Sequence, residues 1–316
     1  MKTHSIAVIG ASNVDICATA IFPLIQGDSN PGKVTLGFGG VGRNIAENLC
    51  RLGQRLSFLT AYGDDSFGEM LRRQALELGL DVSHSLRAQN TPSSVYICIN
   101  QPDGEMSIAV NDMEVCNNIS PQVLRDRLPH LHSQEAILLD ANLSTEALAF
   151  IAEKCEIPLF ADTVSNKKAV KLMPILSRFT GIKTNRSEAE VLTGLSIRSE
   201  RDALLAVEFL HKAGIMYVLL TMGSDGALVS DGRHAFCMPS MIQGMVNTTG
   251  CGDAFFAGAV LAWLEQEDAQ SMLRYGLGMA ALCAADRRSV SPAINRSALL
   301  DFLKQHHKEV RKYEIS

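Results

Sequence analysis

The 316-residue chain predicts an α/β fold: a three-layer sandwich with a mainly parallel sheet, helices on both faces, and a small β lid. Two observations predict it. Short apolar runs of strand length alternate with segments of helical spacing along most of the chain, the rhythm by which crossover connections build a parallel sheet. Two stretches, roughly 17–35 and 92–113, interrupt that rhythm with turn residues and a hairpin pattern.

In order, 6–10 reads as a buried strand closed by a glycine. The pattern from about 17 to 38 is broken by Pro23, Gly27, Pro31 and Gly32. Residues 41–52 place Ile45, Leu49 and Leu52 at helical spacing before Gly53, a natural helix stop. A strand at 56–61 and a helix at 67–78 follow. Residues 93–99 and 106–110 flank the turn 101–105 as a hairpin with one polar face. Alternation then resumes, with strands at 136–139, 158–161, 181–183, 217–221 and 226–230. Helices are expected at 144–154, near 167–177, from 187, at 199–213, at 253–264 and at 268–285. The two irregular stretches together form a lid over the sheet's carboxyl edge, where open α/β sheets bind ligands. The expected division is a core of 1–16, 36–91 and 114–316 and a lid of 17–35 and 92–113.

Composition narrows the function classes. Hydrophobic residues are 47% and charged residues 20%, enough for a sizeable core. A net charge of -5 with no basic run disfavours nucleic acid, which needs cations to replace phosphate counterions. No run approaches the ~20 apolar residues of a membrane span, and the start lacks a signal-peptide core. The eight cysteines form no CxxC pair, which fits scattered thiols in a reducing cytoplasm. His130, His132, His306 and His307 sit in polar surroundings without metal-ligand spacing.

Asn247-Thr248-Thr249-Gly250-Cys251-Gly252-Asp253 leads into a long apolar helix. Two glycines admit close backbone approach, and a helix start offers unpaired N–H groups at the positive end of its dipole. Those donors suit the charge on phosphate oxygens in phosphoryl transfer. The same dipole is expected to keep Asp253 ionised, as a base for an alcohol proton. An ordinary glycine loop with a first-turn acid would look the same, and no lysine makes it a Walker A loop. Gly37 to Asn44 is a second glycine-dense helix entry. Gly10-Ala11-Ser12-Asn13 does not supply the dinucleotide fingerprint of an oxidoreductase.

Together, GGVGRN at 39–44 and NTTGCGDAF at 247–255 resemble the two signatures of the ribokinase (PfkB-type) family of carbohydrate and nucleoside kinases. Asn185-Arg186-Ser187-Glu188 is similar to that family's NxxE element, and Leu220 to Gly226 to its nucleotide turn. The order holds from about residue 6 to 295. Within the family, Asp28 to Lys33, Ala109 to Met113 and Asn185 to Glu190 look like bacterial pseudouridine kinases, which phosphorylate the 5′-hydroxyl of a C-nucleoside with ATP.

The resemblance implies roles. Asp253 matches the catalytic base, and Gly250, Cys251 and Gly252 the anion hole, with cysteine where alanine is usual. Asp15 matches the acid that holds sugar hydroxyls, and Gly40, Gly42 and Asn44 match ribose-contacting positions. Asn30, Asn111 and Asp112, in the lid, are expected to reach the acceptor, although Asn and Asp also favour turns. Asn185, Thr221, Gly223 and Gly226 match nucleotide positions, and Glu188 the group that organises Mg²⁺ through water. Lys168 has two readings, a residue that approaches phosphate and a surface lysine, the latter the safer; Glu190 reads as a solvated helix residue. Asn247 replaces an aspartate that helps to hold a monovalent cation such as K⁺, which puts that ion in doubt; Ser289 and Ser291 are other candidates there. The implied partners are a small nucleoside or sugar and a second copy through the lid. The rivals are a kinase for ribose, adenosine or a sugar acid, and a non-catalytic nucleotide-binding protein of this fold.

Overall fold

The computed structural model describes residues 3–244 and 246–315. The chain begins with β1 (Ser5–Ile9), β2 (Asn13–Ala20), β3 (Gly32–Gly39), α1 (Val41–Arg51), β4 (Arg55–Leu59), β5 (Ala61–Gly63), α2 (Ser66–Glu77) and β6 (Leu86–Ala88). Next come β7 (Val95–Asn100), β8 (Met106–Asp112), α3 (Pro121–Arg125), α4 (Leu128–His132), β9 (Ala136–Asp140), α5 (Thr145–Lys154) and β10 (Leu159–Asp162). α6 (Asn166–Ala169), β11 (Gly181–Asn185), α7 (Arg186–Thr193), α8 (Glu200–Lys212), β12 (Tyr217–Thr221), β13 (Ala227–Ser230) and β14 (His234–Met238) follow. The chain closes with α9 (Cys251–Leu264), α10 (Ala269–Ala284), α11 (Arg296–Gln305) and β15 (Arg311–Glu314).

Nine strands form the main sheet in the order β15-β14-β13-β12-β11-β10-β9-β1-β4. The pairs from β4 through β12 are parallel, and β13, β14 and β15 are added antiparallel. Period-2 alternation sends the two faces of each strand into two cores. Ile6, Val8 and Leu138 join the core beneath α1, α9, α10 and α11, while Ala7, Ile9 and Leu139 join that beneath α5, α7 and α8. This is the three-layer α/β sandwich, with helices on both faces.

Capping sets several helix starts. Asp65 accepts from the Gly68 N–H, Ser144 from Ala147 and Asp268 from Ser271, while Asn185/Glu188 and Ser199/Asp202 form reciprocal capping boxes. Apolar residues surround α9 on every side because it is enclosed; eleven of its fourteen residues are buried, which fixes its first turn firmly.

A second sheet has the order β3-β2-β7-β8. Its strands reach further than the expected 17–35 stretch, because β2 pairs with β3 from Asn13↔Gly39 to Ala20↔Gly32. Only the connection around Pro23 to Pro31 is irregular; the breakers there obscured two regular strands beside it. The expected helix near 167–177 is also different: α6 ends at Ala169, and Val170–Arg178 continues as a 3₁₀ helix around Pro174. Proline has no N–H and clashes with the preceding turn, so the tighter winding takes over. The polar edge strand β15 was not foreseen, since its pairing with β14 rests on backbone bonds and not on an apolar pattern.

Candidate active site

Two cavities meet at the start of α9. The first, of about 400 Å³, is lined by Asn13, Asp15, Gly40, Asn44, Tyr96, Asn142, Lys168, Gly250 and Asp253, among others. The second, of about 670 Å³, is lined by Thr221, Gly223, Gly226, Thr248, Cys251, Gly252, Phe255 and Leu277, among others. Neighbouring residues of one loop therefore face opposite cavities: Thr249, Gly250 and Asp253 the first, Thr248, Cys251 and Gly252 the second.

Gly250 makes that loop. Its φ is +84°, and a Cβ there would stand 1.9 Å from the Ser289 carbonyl oxygen, so a side chain is excluded both by backbone conformation and by space. The Cys251 N–H turns back to the Thr248 carbonyl at 3.2 Å. Cys251 thus contributes its N–H to the loop rather than to an anion. The N–H groups of Gly250, Gly252 and Asp253 meet no hydrogen-bond partner among the described residues and remain available to one.

Asp253 is 8% exposed and accepts a 2.8 Å hydrogen bond from the Asn44 amide. Its carboxyl is pushed up to about 7, first by burial and then by Asp162, against the lowering influence of Lys183 and Asn44. This corrects the expectation that the helix dipole dominates: the apolar enclosure of α9 outweighs it. Arg43 holds Asn44 in turn, donating to its Oδ1 at 3.1 Å and to the Phe38 carbonyl at 3.1 Å. Asp15 accepts from Asn13 at 2.6 Å, and burial raises its pKa. Gly39 leaves it room, since a Cβ there would fall 2.4 Å from the Asp15 Oδ2.

Several expected residues sit elsewhere. Gly42 does not line the cavity; it is buried, packed on Gly10, and its N–H goes to Asp140 at 2.8 Å. Asn30 closes its own turn, with bonds to Ile25 N–H at 2.8 Å and to the carbonyls of Ile25 and Asp28 at 2.9 and 3.0 Å. Asn111 and Asp112 are exposed at the end of β8, and Asp112 accepts from the Glu114 N–H. Turn and strand-end chemistry accounts for all three. Asn185 caps α7 and lines neither cavity; its amide and N–H both bond Glu188, whose Oε2 also accepts from Thr163. Asn247 donates to the Arg287 carbonyl and accepts from the Thr249 N–H, each at 3.0 Å. Thr221, Gly223 and Gly226 do line the second cavity.

Sequence reasoning missed others. Asp140 is fully buried and accepts from the N–H groups of Ala11, Gly42 and Asn142, each at 2.8 Å, pinning β1, α1 and β9 around the first cavity. Tyr96 and Met113 line that cavity from the second sheet and its exit. Lys168, readable as a phosphate-approaching residue or a surface lysine, lines the cavity and donates to the Asn142 amide oxygen. A polar residue closing an apolar strand was the only signal for Asp140.

The family profile described as pfkB family carbohydrate kinase matches residues 3–295. The chain belongs to this family. It is 32% identical to the pseudouridine kinase of Escherichia coli (strain K12), over 92% of this chain and 93% of that one. It is 29% identical to the guanosine-inosine kinase of Exiguobacterium acetylicum, over 88% and 93%. The structure of Arabidopsis thaliana ribokinase complexed with ribose and ATP shares its fold, with a TM-score of 0.84, 22% identity and coverage of 96% and 99%. This pfkB-family chain is therefore a ribokinase-like, ATP-dependent phosphotransferase that acts on a hydroxyl group. No helix among the described residues is long and apolar enough to cross a membrane.

Proposed function

We propose that this kinase phosphorylates the 5′-hydroxyl of a nucleoside, with pseudouridine as the acceptor. One observation carries the reading: the first turn of α9 separates a cavity with carboxylate, amide and ammonium side chains from one walled by glycines, apolar groups and the hydroxyls of Thr221, Ser224, Ser240 and Thr248. The acceptor occupies the first, held by Asp15, Asn44 and the Gly40 backbone, and ATP the second, against Thr221, Gly223 and Gly226. The choice of pseudouridine is supported by the 32% identity to a pseudouridine kinase and by the residues at 28–33, 109–113 and 185–190.

Asp253 takes the hydroxyl proton as that oxygen bonds to the γ-phosphorus and the bond from γ-phosphorus to the bridging oxygen breaks, releasing ADP. The free N–H groups of Gly250, Gly252 and Asp253 face the charge on the transferring group. The small sheet acts as a lid that excludes water. Among the described residues no cluster of three or more His, Cys, Asp or Glu is placed to hold a metal ion. Mg²⁺ would be held mainly by phosphates and waters, with Asn185 and Glu188, which are hydrogen-bonded to each other and line neither cavity, proposed to organise its water shell indirectly. When bound, Mg²⁺ neutralises charge on the phosphates. A monovalent cation fits less well. The Asn247 oxygen already serves the Thr249 N–H, and Ser291, another candidate, donates at 3.3 Å to Asp286, which pairs with Arg288 at 3.0 Å.

The outer face of the second sheet exposes Val34, Leu36, Ile97, Ile99, Ile108 and Val110 in one register-aligned patch. A second copy of this chain is the proposed occupant, because it presents the same apolar face with β3 and β8 as unpaired edges.

The test is an ATP-dependent assay across pseudouridine, uridine, inosine, adenosine, ribose and a sugar acid. Pseudouridine is expected to have the highest kcat/KM. Turnover of ribose with pseudouridine inert would overturn the acceptor, and no turnover of any would favour a non-catalytic role.

A further inference from the structure

Besides Arg43, which holds Asn44, the described residues of the site include a second buried cation to which the mechanism above gives no part. Lys183, on β11, is 7% exposed and pairs with Asp162 on β10 at 3.0 Å. Its ammonium lies directly under the anion loop, since a Cβ built on Gly252 would stand 2.8 Å from the Lys183 Nζ. A lysine in a sheet interior loses most of its hydration, and such groups persist only where carboxylates surround them. Burial works against its charge, yet Asp162, Asp253 and Glu188 outweigh burial and push its pKa up, so it stays an ammonium.

From this geometry we infer that the Lys183–Asp162 pair is a positioning pair for phosphoryl transfer. Its ammonium fixes the electrostatic setting of Asp253 from beneath Gly252, without touching the acceptor. The inference rests on the proposed role of Asp253 as base. Charged and titratable groups reach this region from several elements: Asp162 on β10, Lys183 on β11, Asp140 on β9, Glu188 on α7, and Cys251 with Cys283 from α9 and α10. Asn44 of α1 adds a neutral donor. Asp162 and Lys183 oppose each other: Asp162 raises the Asp253 pKa and Lys183 lowers it.

That opposition gives a signed test. Lys183→Met keeps the length and apolar stem of the side chain but removes its charge. Its acid limb in the kcat/KM–pH profile is expected to move up by at least one pH unit from about 7, with at least roughly fivefold loss at pH 7 that recovers at pH 9. Asp162→Asn, which removes the opposing charge, is expected to move the limb down. A purely structural pair would lower the rate equally at every pH and leave both limbs in place. The profile of the unaltered enzyme is measured first. Absent turnover there would sink the kinase reading itself. Normal turnover there, with an unmoved limb in either folded variant, would sink this inference alone. Should Lys183→Met fail to fold, Asp162→Asn decides.

Discussion

The two cavities on either side of α9 are built from different materials. The acceptor side presents side chains with hydrogen-bonding ends, Asn13, Asp15, Asn44, Asn142, Lys168 and Asp253. The proposed nucleotide side presents Gly223, Gly226, Gly244 and Gly252 beside Ile242, Phe255, Leu277 and Ala280, with the hydroxyls of Thr221, Ser224, Ser240 and Thr248 as its polar side chains and, among the described residues, no charged one. Groups that hydrogen-bond a ligand are left unpaired by an analogue that lacks the matching atom, and they reject it strongly. Backbone and apolar walls discriminate less. On the proposed assignment, selectivity is expected of the acceptor side and tolerance of the nucleotide side.

The largest expected break of this contrast is Asp253→Asn. The amide keeps the shape but cannot take a proton, so turnover should fall by roughly 10²–10⁴-fold while ATP binding, read by calorimetry, is retained. Near-normal turnover would remove Asp253 from its role and leave the acceptor cavity without a base. Next comes Asp15→Ala, which leaves Asn13 without its 2.6 Å partner and the acceptor without a buried carboxylate. A loss of about 1–3 kcal/mol in acceptor binding is expected, seen as a raised KM for acceptor with KM for ATP unchanged. An equal rise in both would erase the division between the cavities.

The pH profile sharpens the same contrast. The folded-state pKa of Asp253 is raised to about 7, so the carboxylate that accepts the proton is lost as pH falls through that value. The kcat/KM for acceptor should drop about tenfold per unit below the limb, while ATP affinity, proposed to rest on the second cavity, which Asp253 does not line, should change little over the same range. A flat acceptor profile between pH 6 and 8 would mean that a group other than Asp253 governs the reaction.

How legible the site was in the sequence follows from how each residue works. Gly40 and Gly250 were visible because their φ values of +102° and +84° demand glycine at a helix entry, a requirement written locally. The main sheet was legible for a similar reason, since two-faced burial leaves apolar runs. Asp140 and Lys183 were not, because their meaning lies in partners far along the chain. Within their own strands, AILLD and GIKTN, Asp140 reads as a strand-end polar and Lys183 as a single charged residue in mid-strand. Asn30 and Asp112 show the converse: local turn chemistry explains them, and sequence cannot tell a turn residue from a ligand.

On the nucleotide side the expected effects are smaller. Gly226 has φ +96°, and a Cβ there would fall 2.0 Å from the Met238 carbonyl oxygen. Gly226→Ala must shift the turn between β12 and β13, at a cost of about 1–3 kcal/mol in stability. The expected readout is a lower melting temperature and a several-fold higher KM for ATP, with acceptor KM unchanged. Altered acceptor selectivity would contradict the assignment of tolerance to this side.

The smallest effect on catalysis is expected from the outer face of the second sheet, the proposed lid. Val110 is 63% exposed and lies opposite Ile97 across the β7–β8 pair, on the face away from Asp15 and Tyr96. Val110→Asp places a charge on the apolar patch without altering any residue that lines either cavity. If a second copy covers that patch, burying an unpaired carboxylate there should weaken the dimer at least roughly tenfold, or about 1.4 kcal/mol. Light scattering across a concentration series would read this, with turnover per chain nearly unchanged when both forms are saturated. A wild-type chain that stays monomeric at high concentration would show that no second copy covers this face. A variant that dimerises normally but loses acceptor affinity would show instead that the outer face of the lid is coupled to the cavity beneath it.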